Sequence, residues 1–481
     1  MPPLGDVPLE EFREQGRRLV DWIARYLGPG GADALPVLSR VRPGQVRAQI
    51  PAVPPAQPEP LAAILEDVER VVVPGLTHWN HPGFLAYFAN SSPAPAVLAE
   101  MLSAAFNANG MLWKTAPAAT EVELATLDWL RQMLGLDAGM SGVIHDTASV
   151  STLVALAGAR EAVPGLDVRR TGLSGLPRLR MYASDQAHSS VDKAGMVLGI
   201  GQEGLRHIAS DSTFRMDPRA LAAAVREDRA AGWLPFAVTA TVGTTSSTSI
   251  DPVAQVAQVC ADEGLWLHVD ASYAGSAAVV PELRWVLDGC QGADSLVVNP
   301  HKWMFVPIDL SVLFTRRPEV LRKAFSLVPE FLRTPEDALA PNLMDYGVSL
   351  GRRFRALKLW MVVRAFGVDG IAARIREHVR LAQVFRGWVE QDPTFEVSAP
   401  SPLSVVCFRA RCAGLEPAQA DARNEALMEA VNGTGETYLS HTRLNDRTVL
   451  RVAVGNIRTE ERHLRRAWEL LQLHSSRMAS A

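Results

Sequence analysis

The sequence predicts an α/β protein: a mostly parallel sheet covered by helices, preceded by a helical segment and followed by a small α+β unit. Three features predict it. β-rich runs recur through the middle of the chain, LRMYAS at 179–184, FAVTATVG at 236–243, LWLHVDA at 265–271 and SLVVN at 295–299. Helical stretches at 218–231, 252–263 and 281–289 alternate with them, and strand starts at roughly 30-residue spacing are the period of βα units. Finally, the first ~90 residues carry helices and a proline-rich run but too little apolar surface to close a core of their own.

Each element follows from its residues. Residues 8–27 place Phe12, Leu19, Ile23, Tyr26 and Leu27 at helical spacing, so this helix must bury one face. Residues 51–60, PAVPPAQPEP, hold five prolines and read as an extended linker. A second helix, LAAILEDVERVVV, follows, and the whole segment is expected to pack on another body, in the same chain or a partner subunit. After ~365 come a long helix (GIAARIREHVRLAQVFRGWVEQ), strands FEVSA and LSVVCFRAR, a helix near 418–432, the strand TVLRVAVG and a last helix from 459. The expected units are an N-terminal segment 1–92, a large domain 93–363 and a small C-terminal domain 364–481.

Composition narrows the function. Of 481 residues, 48% are hydrophobic and 21% charged, which excludes a disordered or fibrous chain. Lys plus Arg number 48 against 52 Asp plus Glu, a net charge of −4, so neither nucleic acid nor an anionic membrane is the expected partner. No apolar run reaches the ~18 residues of a membrane span. The N-terminus lacks the basic and apolar regions of a secretory signal. Four cysteines are too few for a disulfide scaffold, and reduced thiols in a cytoplasmic protein are expected. Several local patterns read as decoys. Gly199, Gly201 and Gly204 form GxGxxG, but a helix precedes them and a strand follows, the reverse of a dinucleotide site. His78 and His81 lack a third ligand, and no metal is expected. Arg352, Arg353, Arg355 and Lys358 read as a solvated helix start or an acid-binding patch.

Five segments carry chemistry. In SLVVNPHKWMF a strand runs into Asn299-Pro300-His301-Lys302; Pro300 turns the chain, so Lys302 leaves the strand end, where open α/β sheets bind ligands. Apolar neighbours would lower its pKa and make it a Schiff-base nucleophile. In LWLHVDASYAGSA, Asp270 ends an apolar strand and needs a cationic partner. A pyridinium nitrogen is one such partner, and Asp plus Lys are the two groups that pyridoxal phosphate requires. His268 shares the Asp270 face as a supporting residue. In HDTASVSTLVAL, Thr147, Ala148 and Ser149 open a helix, a phosphate site or an ordinary N-cap. SDQAHSSVDKAG places His188 at a helix start, where an imidazole can stack and relay protons. TATVGTTSSTSIDP ends a strand in hydroxyls from Thr244 to Ser249.

These segments, in this order, together with HPGFLAYF (81–88), the stretch Trp113 to Glu123 and GRRFRALKLW, resemble the group II pyridoxal-phosphate decarboxylases, most closely the aromatic L-amino acid decarboxylases. The likeness runs from about residue 8 to residue 470. It implies a type I, aspartate aminotransferase-like fold with a mostly parallel seven-stranded sheet, and a carboxy-lyase. By resemblance, Lys302 holds the cofactor aldehyde, Asp270 its ring nitrogen, and His188 stacks on the ring with Ala271 on the other face. Ala148, Ser149 and Asn299, with His301, bind phosphate, and Thr245 lies near the cofactor. Trp79, Tyr87, Phe88, Asn90, His301 and Gly351 fall to the substrate, and a homodimer is implied in which the N-terminal segment wraps the neighbour.

The sequence departs from the family in the loop FSLVPEFLRT. Phe331 stands where the decarboxylases have a Tyr that helps protonate the substrate carbon. A Phe there resembles the aldehyde synthases, which release aldehyde, ammonia and hydrogen peroxide besides CO2. Against this stand an offset loop alignment, protonation by His188 or water, and substitution by Tyr346. Met111 and Leu112 also depart from the pocket pattern, as does Asn90. More remote alternatives are an aminotransferase, kept open by Arg352 and Arg353, and a non-enzymatic relic, against which Lys302, Asp270 and His188 argue.

Overall fold

The computed structural model describes residues 5–327 and 334–480. Its main sheet has seven strands: β1 (Ser141–His145), β2 (Leu179–Ser184), β3 (Leu205–Ile208), β4 (Leu234–Thr241), β5 (Trp266–Asp270), β6 (Ser295–Val298) and β7 (Ser311–Thr315), in the order β1-β7-β6-β5-β4-β2-β3. Four neighbouring pairs are parallel; β7 runs antiparallel to both β6 and β1. The link from β6 to β7 holds only the four-residue helix Pro300–Trp303, so there is no crossover to restore a parallel direction. β5, β6 and β7 are buried at every residue, which explains apolar runs without alternation.

Two expected helices differ from the reading: LAAILEDVERVVV is α-helical only over Leu61–Asp67 and continues as π and 3-10 turns to Gly75, and the second differs in kind. Residues Pro281–Leu287 form a 3-10 helix of about two turns, and Gly289, two residues past its end, turns the chain with a φ of 88°. The helix Ala356–Gln391 leaves the large sheet and enters the C-terminal unit, broken at Gly367 (φ 65°, ψ 167°), a conformation that L side chains rarely adopt. Beyond it β8 (Phe395–Val397), β9 (Val405–Ala410), β10 (Ser440–Leu444) and β11 (Arg447–Ala453) form an antiparallel sheet, order β10-β11-β9-β8. Its core joins Phe385, Phe395, Phe408 and Trp468.

The N-terminal helix Leu9–Leu27 is pinned at its far end: Tyr26 Oη lies 2.8 Å from His78 Nδ1, and Arg458 donates to Leu27 O and Asn80 O. Its start is bare, with Leu9 75% and Phe12 62% exposed. Among the described residues, the first half of the apolar face read from the sequence is thus left uncovered. None of the described helices is long and apolar enough to cross a membrane.

Candidate active site

The carboxyl ends of the parallel strands deliver the chemistry to one cleft of about 180 Å³, a volume suited to one small molecule. A larger opening of about 530 Å³ lies beside Arg40, His81 and Arg466, but Arg40 is spent on Thr434 O and Arg466 on Glu436. The cleft is lined by Phe88, Thr147, Ala148, Ser149, His188, Thr245, Asp270, Asn299, His301 and Lys302, ten residues singled out from the sequence and drawn from six separate segments.

Lys302 sits on the short helix after β6, its Nζ 5.1 Å from the centre of the Phe88 ring. Phe88 stacks on Tyr273 (4.1 Å) and Tyr273 on Trp303 (4.8 Å). This column is anchored by Tyr273 Oη against Ser404 Oγ (2.5 Å) and by Trp303 Nε1 donating to His378 Nδ1 (3.0 Å). Burial lowers the lysine pKa, opposed by the Asp270 charge, so the amine spends more time neutral and nucleophilic. Asp270, 6% exposed, is fixed by Ser272, whose N–H (3.0 Å) and hydroxyl both donate to Oδ1. His268 lies behind it, its Nδ1 2.9 Å from Ser295 Oγ.

The two imidazoles in the cleft are locked in one tautomer. The Ser190 N–H donates to His188 Nδ1 (3.1 Å), and the Leu310 N–H donates to His301 Nδ1 (3.1 Å). Burial lowers the pKa of both; for His301 burial and the charges of Lys302 and Lys358 bring it to about 3. Each ring is therefore neutral near pH 7 and carries its proton on Nε2.

The third wall is an anion cradle. The helix Ala148–Glu161 begins here with Thr147 as N-cap, so its first N–H groups and its positive dipole end meet the cleft. The Ser149 and Thr245 side chains and neutral His301 add donors. Among the described residues, Asn299 Oδ1 and Thr241 Oγ1 are buried with no hydrogen-bond partner. Both line the cleft, and buried polar atoms left open in this way fit a polar ligand that completes them. An aldehyde-reactive lysine, a carboxylate for a ring nitrogen and a phosphate cradle together match the donor set that pyridoxal phosphate needs.

Sequence reading missed Thr241, Gly243, Ser272 and Tyr273 as lining residues. The signal for Tyr273 was present three residues past Asp270. Gly243 (φ 89°) passes so close to Ala274 that an added Cβ would lie 2.6 Å from its methyl. Of the hydroxyl run, Thr244, Ser247 and Ser249 bond one another, and only Thr245 reaches the cleft. Ala271 is fully buried behind the lining. Trp79 and Tyr87 stand outside the cleft of their own chain, exposed and packed on buried Phe84 and half-buried Tyr438, where the Tyr87 and Tyr438 hydroxyls lie 3.1 Å apart. Asn90 is half-buried and Gly351 exposed, both outside that lining. Phe331 lies outside the described residues. Tyr346 packs with Val143, Val154, Leu313 and Phe325, away from the cleft. Arg352, Arg353, Arg355 and Lys358 form no patch for an external acid; they pair internally with Glu123, Glu100, Asp309 and Glu100.

Over residues 43–411 the chain matches the family described as the pyridoxal-dependent decarboxylase conserved domain. The aromatic-L-amino-acid decarboxylase of Sus scrofa is 43% identical over 473 residues, covering 95% of this chain and 95% of that protein. The phenylacetaldehyde synthase of Arabidopsis thaliana is 41% identical over 477 residues, covering 97% and 96%. Among solved structures, that of Oryza sativa TDC with PLP and tryptamine superposes with a TM-score of 0.95 at 39% identity, over 99% of this chain and 100% of that one.

Proposed function

The chain belongs to the pyridoxal-dependent decarboxylase family, and from that premise we infer that it decarboxylates aromatic L-amino acids to the amine and CO2. It is a carboxy-lyase of the type I fold with pyridoxal phosphate as cofactor. The observation that carries the reading is the meeting of Lys302, Asp270 and the 147–149 helix start in one cleft walled by Phe88 and Tyr273. When bound, the cofactor supplies an electron sink for the pair left on Cα as CO2 departs. The protein's own groups do the rest. Lys302, its pKa lowered by burial, would hold the cofactor through its aldehyde. Asp270 would hold the ring nitrogen, and Ser272 keeps Asp270 in place. His188 offers Nε2–H to the site. The Phe88–Tyr273–Trp303 column excludes water from the Lys302 side.

A second reading has its own support. His188 Nδ1 is already engaged by a backbone N–H, so the neutral ring has no readily lost proton for Cα. Phe331 has none either. With these two donors silent, reaction with O2 competes: substrate, O2 and water give aldehyde, CO2, ammonia and hydrogen peroxide. Turnover of Phe, Tyr, Trp and DOPA in air and under nitrogen, with CO2, amine and peroxide measured together, separates the two. Amine equal to CO2 without peroxide supports the first reading; peroxide tracking CO2 only in air supports the second. No CO2 from any of the four would sink the aromatic assignment. If the oxidative route dominates, Phe331→Tyr raises the amine-to-peroxide ratio about tenfold or more.

We place the enzyme in a homodimer and in the cytoplasm. The bare face of the helix Leu9–Leu27, and the position of Trp79 and Tyr87 outside their own cleft, support a partner whose site they complete. All four cysteines are free, as suits a reducing compartment.

A further inference from the structure

The basic run at 352–358 leads into the long helix, yet its first arginine points back into the large domain. Arg352 and Glu123 form an ion pair whose side chains are 9% and 4% exposed. Taking two charges out of water offsets most of their attraction, so such a pair is a poor source of stability. Its geometry suggests another use. Arg352 Nη2 donates both to Glu123 Oε1 (2.7 Å) and to Ile144 O (2.8 Å), while the Ile144 N–H donates to the same Glu123 oxygen (3.0 Å). Ile144 lies on β1, an outer strand of the sheet, where it pairs with Val312 on one side only. The ion pair takes both polar groups of its other side, as a neighbouring strand would.

The chain just past Ile144 gives the clamp its consequence. Two residues separate Ile144 from Thr147, and Thr147, Ala148 and Ser149 line the cleft. The same arginine is tied by its main chain to a third segment, with its N–H on Asn109 Oδ1 (2.9 Å) and its carbonyl accepting from Gly110 N–H (2.8 Å). We propose that Arg352 and Glu123 are positioning residues: by gripping both polar groups of Ile144 they set where the helix start at 147–149 meets the cofactor phosphate. The inference rests on the cofactor reading of the cleft.

The test uses purified holoenzyme and the variants Arg352→Lys, Glu123→Gln and, as control, Arg353→Ala, whose partner Glu100 keeps Lys358. A lysine has one ammonium in place of the planar fork and cannot serve Glu123 and Ile144 O in the same geometry. Arg352→Lys is expected to release pyridoxal phosphate about tenfold faster and to shift the 31P resonance of the bound cofactor, with the amino-acid KM changed less than about twofold. Glu123→Gln moves both readouts in the same direction by less, and decides the matter if Arg352→Lys does not fold. Arg353→Ala moves neither. Variants that melt earlier yet hold the cofactor at the wild-type rate, with an unshifted 31P signal, overturn the proposal and leave a purely structural pair. A wild-type protein that retains no pyridoxal phosphate overturns the cofactor reading as well, which sets that failure apart.

Discussion

The two sides of the cleft are built differently. On the proposed cofactor side, Lys302, Asp270, His188, His301 and the 147–149 helix start meet within one chain, and the groups that fix them are buried. Most of the residues proposed for the substrate do not. Trp79 is 38% and Tyr87 49% exposed, and Asn90 and Gly351 stay outside the lining. A cofactor retained through every turnover profits from a rigid cage, whereas a substrate must enter and leave. In the proposed dimer, chemistry and selectivity would thus be separable, one inside a chain and the other dependent on assembly.

The largest expected effect falls on the cofactor side. Lys302→Ala should lower CO2 release about 10³-fold or more, and borohydride should no longer fix cofactor to the protein by mass spectrometry. Persistent labelling would show that another lysine holds the aldehyde. Next, Asp270→Asn should lower kcat about 10²-fold while cofactor stays bound, because Ser272 can still hold the amide. On the other side, Trp79→Ala should raise the amino-acid KM about tenfold with the cofactor retained. Loss of cofactor instead would mean that the two sides are one unit.

The smallest effect is on stability. His81, His268 and His378 are neutral in the fold, with burial bringing each to about 4. An unfolded chain takes up those protons near pH 6.5, so stability present above that value is lost as pH falls toward 4. The melting temperature should drop across this window, and His378→Gln should lessen the slope. A flat profile between pH 6.5 and 4 would mean that these rings gain compensating partners on protonation.

Much of the cofactor side was legible because its residues end strands or begin helices, and local sequence reports those ends. Lys302 follows a strand and a proline, and Asp270 closes an apolar run; nothing distant is needed to see either. β1 and β7 were harder. Both are five residues long, and β7 lacks the preceding crossover helix that marks the parallel strands. The basic run at 352–358 was misread because two of its three acids, Glu100 and Glu123, lie more than two hundred residues earlier, and no local pattern announces them. Trp79 and Tyr87 were assigned through family likeness alone, and within one chain both lie outside the cleft lining.

The capped outer strand has a consequence for how copies of this enzyme meet. A strand with free N–H and C=O groups is a template on which another chain adds, in growing fibrils as well as in orderly sheet extension. At Ile144 those groups are taken by a glutamate and an arginine, and an incoming backbone would have to displace a buried ion pair to reach them. The β1 edge of the seven-stranded sheet is therefore closed to extension at Ile144.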